Sequence, residues 1–345
     1  MARFPFGRGS RLLGRNLNQI YIISAVLAAA VVIVAVYDLY PFGKNDKADE
    51  TTGEIKAEER MNQPAPAPRL AAEVKAEPNR TNVAPTPDTE SDPKVAELIA
   101  EATLLVNTRP DSVIEARNRL NVILPMCKSQ QQRAAVKEQL SKLADKWLFS
   151  RTVLPGDALC ETYRVRRGEQ LIRIAEQFKV PYEILMQING IHRPEALQSG
   201  QIIKVINGPF HAKICRSAFM IDLYLRNTFV RSFPVGLGVP GRETPTGLWQ
   251  VKTGGKLISP TWTDPDTGRT YKAKDPDYPL GSRWIALDGI EGQAKDRAGF
   301  AIHGTKDPHQ IGTAGSRGCI RLHNGDAILV YNLLVPIYST VTVEE

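Results

Sequence analysis

A chain of 345 residues, 42% of them hydrophobic and 23% charged, is too long for one ordinary domain and too apolar to be disordered throughout. The formal net charge of +7 is spread unevenly, with +8 on residues 94–345. A basic folded part favours an anionic partner, either a membrane surface or a cell-wall polymer. Nucleic acid is not expected among its partners, because the basic residues form no run with interleaved aromatic side chains.

The four cysteines, Cys127, Cys160, Cys215 and Cys319, form no C-x-x-C pair, which leaves a metal or thioredoxin-type site without support. The five histidines likewise lack the H-x-x-x-H spacing of a zinc site. We therefore expect neither a metal nor another cofactor.

The first predicted element is a single transmembrane helix over residues 20–37, eighteen residues without a charge. A helix of this length is about 27 Å long, close to the thickness of the bilayer's hydrocarbon layer. Four arginines precede it, so residues 1–19 are expected to form a basic cytoplasmic tail and the rest of the chain to be exported. A cleaved signal peptide is the alternative, although the small residues at 28–30 lie in the middle of the segment rather than at its end.

Residues 44–93 are predicted to be a linker. They contain seven prolines and no aromatic residue, and their acidic residues outnumber the basic ones. Such a segment cannot bury enough apolar surface to offset the entropy lost on ordering, so we expect it to be disordered. Fifty residues of flexible chain reach about 40 Å, which suits a tether from the membrane to the folded part.

Residues 94–150 are predicted to form a three-helix spacer. Asp92, followed by a proline, is a typical start for the first helix, and Ser112 starts the second. The third starts at Ser129, where Gln132 three residues later indicates a capping box. The apolar spacing predicts that the helices pack together, the face of the third being Val136, Leu140, Leu143 and Trp147.

Residues 163–206 predict the order strand, helix, helix, strand, with glycines at the turns. They resemble the LysM family in the stretches Y-R-V-R-R-G-E-Q-L-I-R-I-A, I-L-M-Q-I-N-G and G-Q-I-I-K-V. The resemblance implies a small α+β (βααβ) LysM domain over residues 160–207 that binds glycan strands containing N-acetylglucosamine. Many LysM domains have Asp-Thr where this chain has Glu169 and Gln170, which weakens the inference about sugar affinity and keeps a spacer role as the alternative.

Residues 211–345 predict a mainly β domain, because short apolar stretches alternate with glycine and proline. The best helix in this part covers residues 326–334. The predicted strands or strand ends are 218–225, 228–235, 247–252, 284–287, 301–303 and 339–343.

Two residues of this domain carry the elements of thiol chemistry. A thiol nucleophile needs a base, a fixed orientation for that base and hydrogen-bond donors for the oxyanion. His303 follows an apolar stretch that a strand can hold rigidly, and Cys319 ends the turn G-S-R-G-C, whose backbone N–H groups can approach a substrate carbonyl. A cationic neighbour such as Arg317 favours the thiolate. Taken singly, a cysteine and a histidine are more often structural residues.

H-G-T at 303–305 followed by S-R-G-C-I-R-L at 316–322 resembles the L,D-transpeptidase (YkuD-type) family. F-P-V-G-L-G and E-T-P-T-G-L-W, farther upstream in the same domain, also match that family. The resemblance implies that Cys319 is the nucleophile, that His303 is its base, and that the carbonyl of Gly304 orients the imidazole.

The same resemblance assigns the oxyanion hole to the N–H groups of Gly318 and Cys319. It implies that Ser316 and Arg321 support the loop and the substrate. Many members of the family have a second histidine where this chain has Arg317. That position is not the base, so the departure does not exclude activity, but it leaves the rate, the pH profile and the choice of acceptor open.

The implied reaction is a two-step acyl transfer that needs neither a metal nor ATP. Cys319 attacks the carbonyl of the third residue, often a diamino acid, of a peptidoglycan tetrapeptide stem; D-Ala leaves, and an amine takes the acyl group from the thioester. The acceptor stays open, so the product is a stem cross-link, a lipoprotein attachment or an exchanged D-amino acid. The chain is thus expected to be a multidomain enzyme of the cell envelope, with the catalytic domain on the exported side.

Two rival functions are less consistent with these residues. A papain-like peptidase has its cysteine before its histidine in the chain, the reverse of the order here. A non-catalytic LysM peptidoglycan-binding protein with a degenerate transpeptidase domain is disfavoured because His303 and Cys319 are both intact.

Cys160 and Cys215 flank the LysM segment. Paired outer strands bring the entry and exit of such a domain together, and the exported side of a membrane permits disulfides. A bond between these cysteines is therefore one hypothesis, and free buried thiols are the other.

Overall fold

The computed structural model describes residues 92–108 and 112–345. The predicted cytoplasmic tail, the transmembrane helix and nearly all of the linker lie outside these residues. Within the described ranges, no helix is both long enough and apolar enough to cross a membrane.

Three helices precede the LysM-like segment: α1 (Pro93–Thr108), α2 (Val113–Ile123) and α3 (Gln130–Trp147). The predicted start of α1 is confirmed, since the N–H of Lys94 donates to Asp92 Oδ1 at 2.9 Å. The predicted apolar face of α3 is also confirmed, because its four residues are all buried.

The capping box predicted for α3 is wrong. Ser129 occupies the N-cap position, but its side chain makes no capping hydrogen bond. Gln132 Nε2 instead donates to the backbone carbonyl of Asp92 at 3.0 Å. The start of α1 lies beside the start of α3, so this amide joins two helices rather than closing one.

The next segment has the predicted βααβ order: β1 (Cys160–Arg164), α4 (Leu171–Phe178), α5 (Tyr182–Asn189) and β2 (Ile202–Ile206), with β1 and β2 antiparallel. Asn189 is buried where α5 ends. Its Nδ2 donates to the carbonyls of Leu185 and Lys204, and its Oδ1 accepts the N–H of Lys204 at 2.8 Å. This one side chain therefore continues the hydrogen bonding of β2 on the side where no strand follows.

The rest of the chain is mainly β, as predicted. The elements are β3 (Phe210–Cys215), β4 (Met220–Leu225), β5 (Thr228–Pro234), β6 (Leu237–Gly238), β7 (Gly247–Ile258), β8 (Trp262–Thr263), β9 (Thr270–Tyr271), β10 (Arg283–Gly292), β11 (Phe300–His303), β12 (Ala314–Ser316), β13 (Ile320–Arg321), α6 (Asn324–Leu333) and β14 (Thr340–Glu344). Eight of these strands form one mixed sheet in the order β13-β11-β10-β7-β14-β3-β4-β5. The sequence pattern located most of the strands in this sheet but not β13 or β3, and β3 starts just before the predicted domain boundary.

The helices α2 and α3 pack against β5, the edge strand of this sheet. Asn121 Oδ1 on α2 accepts the backbone N–H of Phe229 at 2.8 Å, which satisfies a donor on the open edge. Lys137 Nζ on α3 lies 2.6 Å from Asp222 Oδ2. The segment interpreted from its sequence as a spacer thus covers a sheet edge.

Cys160 and Cys215 are free thiols, so the disulfide hypothesis is wrong for this structure. Cys160 is buried with its Sγ 4.0 Å from the carbonyl of Trp147, and burial raises its pKa to about 12. Cys215 Sγ lies instead 3.4 Å from Ser217 Oγ. The two strands pair with different partners, β1 with β2 and β3 with β14, and this separates the two thiols.

Candidate active site

Strand pairing places the two predicted catalytic residues on neighbouring segments of the same sheet. The strands β11 and β13 are parallel, with His303 opposite Arg321, so these two side chains lie on the same face of the sheet. Cys319 immediately precedes β13 and therefore lies alongside β11, with its Sγ 3.9 Å from the carbonyl of Gly299. The fifteen residues between the histidine and the cysteine form a loop that returns the chain to its neighbouring strand.

The imidazole of His303 is buried and oriented. Its Nδ1 lies 2.6 Å from the carbonyl oxygen of Gly304, as the resemblance implied. A carbonyl only accepts hydrogen bonds, so Nδ1 carries the proton and Nε2 keeps its lone pair. The indole of Trp284 stacks on the ring at a centroid distance of 5.4 Å. A histidine in this tautomer can act as a base through Nε2.

The surroundings keep His303 neutral. Burial lowers the pKa of His303 to about 4, and hydrogen bonding with the backbone of Gly304 opposes this shift. Burial also raises the pKa of the Cys319 thiol, while hydrogen bonding with the Ala301 backbone and the charge of Arg321 lower it. Both shifts favour the uncharged form of their group, the neutral imidazole of His303 and the protonated thiol of Cys319.

The cation that acts on Cys319 is Arg321 rather than Arg317, which corrects the expectation from the sequence. The guanidinium of Arg317 is bound by Asp264, with Nη1–Oδ1 and Nη2–Oδ2 distances of 2.9 and 3.2 Å. A second carboxylate, that of Asp266, lies 2.9 Å from its Nε. These carboxylates compensate the charge of Arg317. Arg317 therefore does little to stabilise the thiolate form of Cys319.

Arg321 is hydrogen-bonded to the loop that precedes Cys319. Its Nη1 donates to Gln310 Oε1 and, at 3.2 Å, to the carbonyl of Gly315. Its Nε is buried and makes no hydrogen bond with any residue that the structure describes. Burial lowers its pKa, although the side chain stays cationic at any physiological pH.

Ser316 shapes the turn that carries Cys319. Its Oγ donates to the carbonyl of Cys319 at 2.6 Å and accepts the N–H of Gly318 at 3.1 Å. One of the two predicted oxyanion donors is thus already engaged in this conformation. Gly318 has a φ of +111°, and a Cβ at this position would lie 2.7 Å from Phe300 Cε1, so only glycine fits.

Three further residues hold the site in place, and the sequence analysis did not assign them a role. Thr244 Oγ1 donates to the carbonyl of Gly318 at 2.9 Å and thereby orients the Gly318–Cys319 peptide. Asn324 exchanges two hydrogen bonds with the backbone of Thr305, which fixes the segment after His303. Asp264, which binds the guanidinium of Arg317, is the third. Only Thr244 had a sequence signal, since it lies in the E-T-P-T-G stretch.

Comparison with known proteins agrees with both parts of this architecture. Residues 209–343 match the YkuD family, described as an L,D-transpeptidase catalytic domain, and residues 163–205 match the LysM domain. A relative from Bacillus subtilis, the putative L,D-transpeptidase YkuD, is 30% identical over 189 residues, which cover 53% of this chain and 98% of the relative.

Two other proteins match over shorter parts of their length. The probable L,D-transpeptidase ErfK/SrfK of Escherichia coli is 34% identical over 125 residues, which cover 33% of this chain and 37% of that protein. Among solved structures, L,D-transpeptidase 3 from Mycobacterium tuberculosis, in complex with a faropenem-derived adduct, aligns with a TM-score of 0.31 and 18% identity. That alignment covers 42% of this chain and 65% of the mycobacterial one, just under two thirds.

The sequence motifs, the domain matches and the Bacillus relative that aligns over nearly its whole length all agree. The chain belongs to the YkuD family of L,D-transpeptidases, and its catalytic domain is preceded by a LysM domain.

Proposed function

We propose that this enzyme transfers the acyl group of a peptidoglycan tetrapeptide stem to an amine acceptor through a thioester on Cys319. The observation that carries the proposal is the orientation of His303, whose Nδ1 is held by the Gly304 carbonyl on the sheet face shared with Arg321, two residues after Cys319. Because the pKa of His303 is about 4, this base is unprotonated near neutral pH.

In the first step Cys319 Sγ attacks the carbonyl of the third residue of a tetrapeptide stem. The thiol proton passes to His303 Nε2, and the oxyanion accepts the N–H of Cys319. His303 then protonates the leaving amine, and D-Ala departs as the thioester forms. In the second step an acceptor amine attacks the thioester, His303 takes the amine proton, and the thiol is regenerated.

The residues around Cys319 orient the hydrogen-bond donors of the proposed oxyanion hole. Ser316 and Thr244 hold the two carbonyls that flank the Cys319 N–H, so this donor is aimed before the substrate arrives. Gly318 contributes its N–H as a second donor once Ser316 Oγ releases it. The positive charge of Arg321 stabilises negative charge that develops near Cys319.

The remaining parts of the chain position the enzyme in the cell envelope. The LysM domain holds glycan strands, and the apolar segment at residues 20–37, preceded by four arginines, anchors the chain in the membrane with residues 44–93 as a tether. A basic folded part favours retention on an anionic polymer.

The decisive experiment combines D-Ala release from a tetrapeptide stem with intact-protein mass spectrometry after exposure to a carbapenem, which resembles the acyl donor. The wild type should release D-Ala and gain the mass of one carbapenem, whereas Cys319→Ala should do neither. Cys215→Ala, the partly exposed thiol outside the site, is the matched control and should behave like the wild type.

An unchanged mass and no D-Ala release in the wild type would refute the proposal. That result, together with sedimentation on peptidoglycan, would favour the LysM-containing binding protein with a degenerate catalytic domain.

A further inference from the structure

A cavity of about 500 Å³ lies beside the catalytic turn. Its wall includes Phe300 and Arg317, which are the sequence neighbours of Gly299 and Gly318. Gly299 lies against the thiol of Cys319, since its carbonyl is 3.9 Å from Sγ. A group of the acyl donor close to the scissile bond can therefore lie in this cavity.

Three arginines line the cavity, and two of them are compensated from outside it. Arg317 is bound by Asp264 and Asp266, as described above. Arg242 Nη1 lies 2.9 Å from Asp266 Oδ2. The side chain of Arg297 forms no ion pair or hydrogen bond with any residue of the described part of the chain. Its guanidinium is therefore the one of the three that is available to a ligand.

The backbone at Arg297 is fixed although its side chain is exposed. Its N–H donates to the carbonyl of Ala294, and its carbonyl accepts the N–H of Gly289, each at 2.9 Å. Gly289 permits this close approach, because a Cβ there would lie 1.7 Å from the Ala294 oxygen. A ligand thus has to order only the side chain, which limits the entropic cost of binding.

The single carboxylate on the cavity wall does not neutralise Arg297. Glu243 turns back on its own loop, where its Oε1 accepts the N–H of Gly241 at 2.9 Å. Backbone hydrogen bonds lower the pKa of Glu243, so its side chain stays anionic. It therefore has no proton to donate to the carboxylate of a ligand. Among the arginines of the cavity wall, Arg297 is therefore the one without a carboxylate partner in the described part of the chain.

We propose that Arg297 binds a carboxylate of the acyl donor and selects stems in which that carboxylate is free over stems in which it is amidated. The inference rests on the proposed transpeptidase function. A guanidinium binds a carboxylate through two parallel charge-assisted hydrogen bonds, whereas a carboxamide offers one acceptor and no charge. Two carboxylates near the scissile bond have this chemistry: that of a third residue with an acidic side-chain end, and that of the terminal D-Ala.

The experiment measures D-Ala release from three tetrapeptide stems: one with both carboxylates free, one amidated at the side chain of the third residue, and one amidated at the C-terminus, from which D-alaninamide is released instead. The wild type should disfavour one amidated stem by about tenfold to a hundredfold in kcat/KM, which identifies the carboxylate bound. Arg297→Gln should abolish that preference by raising KM for the free stem with kcat little changed.

Two variants are controls. Lys295→Gln removes the same charge from the same exposed loop outside the cavity wall and should keep the wild-type preference. Arg297→Lys keeps the positive charge but lacks the planar guanidinium that makes two parallel hydrogen bonds, so it should retain part of the preference.

Equal use of all three stems by the wild type, or an undiminished preference in Arg297→Gln, would overturn the inference while leaving the transpeptidase function intact. Failure of the wild type to act on any stem would refute the proposed function, and the inference with it.

Discussion

At the scale of single residues, the surroundings of His303 decide its chemistry. An exposed histidine is half protonated at a pH of about 6.5 and is then a poor base at mildly acidic pH. Burial beneath Trp284 and beside Arg321 disfavours the imidazolium ion, so the neutral base persists to much lower pH. The proposed general base is therefore available over the whole neutral range.

We predict that His303→Ala lowers kcat/KM by roughly a hundredfold or more, the range usual for loss of a general base. Exposed His309 and His323 lie near the same loop, and their alanine variants are the controls that should retain activity. Steady-state D-Ala release provides the measurement. Normal turnover by His303→Ala would exclude His303 as the base and direct attention to the other two.

The pH profile supplies a second prediction for the same residue. Because the neutral imidazole is the active form, kcat/KM should fall as the pH decreases through about 4 rather than through 6.5. The folded state should also lose stability as the pH decreases from 6.5 toward 4, since the unfolded histidine binds a proton there that the folded one does not. Rate measurements and thermal unfolding across this interval test both. An acidic limb near 6.5 would show that the imidazole is accessible to water.

At the scale of elements, the segment joining β7 to β10 holds the catalytic turn. It contains the hairpin of β8 and β9, in which Trp262 and Tyr271 stack at a centroid distance of 6.0 Å. Asp264 at its tip accepts backbone N–H groups of the hairpin and also binds Arg317, two residues before Cys319. One carboxylate thus contacts both the backbone of the hairpin and the turn that carries Cys319.

We predict that Asp264→Asn lowers kcat/KM by about tenfold while the protein stays folded, because the bidentate ion pair with Arg317 is lost. Asp277→Asn is the matched control. Asp277 is exposed in the same segment, and its Oδ2 lies 3.4 Å from Arg269 Nη2 rather than against the turn that carries Cys319. Kinetics and thermal unfolding of the two variants provide the comparison. Equal kinetics in both would show that Arg317 does not need the hairpin to position Cys319.

At the scale of the whole molecule, buried charges join the LysM domain to the three helices. Lys204 on β2 donates to the carbonyl of Trp147, the last residue of α3, at 2.5 Å, and to those of Ser150 and Thr152 just after it at 3.0 and 2.9 Å. Arg117 on α2 pairs with Asp157 at 2.8 Å, and neither side chain is appreciably exposed. Breaking such buried pairs is costly, so the LysM domain and the helices are expected to unfold together.

We predict that residues 92–207, which keep these contacts, co-sediment with purified peptidoglycan sacculi without modifying them. The physical reason is that this segment contains the whole LysM domain and none of the proposed catalytic residues. Sedimentation followed by gel densitometry, against an unrelated chain of equal size, gives the measurement. No enrichment over that chain would leave the LysM domain a spacer.

By itself the sequence determined the order of the LysM and catalytic domains and most strands and helices, and it predicts Cys319 and His303 as the two central site residues. These features depend on local patterns: the apolar period, glycines at turns, and the H-G-T and S-R-G-C motifs. Each of these patterns lies within a short segment of the sequence and can be recognised without the fold. Helix α1 began where Asp92 predicted for the same reason.

Only the tertiary structure decided which groups meet across long separations in the chain. Gln132 caps no helix because the start of α1 lies beside it. Cys160 and Cys215 stay apart because their strands have different partners. The charge of Arg317 is compensated by acidic residues more than fifty positions away in the sequence. Arg297 is available to a ligand because no carboxylate in the part of the chain that the structure describes pairs with it. Sequence patterns specify which residues face the core, but the pairing of charged and polar groups depends on contacts that exist only once the chain is folded.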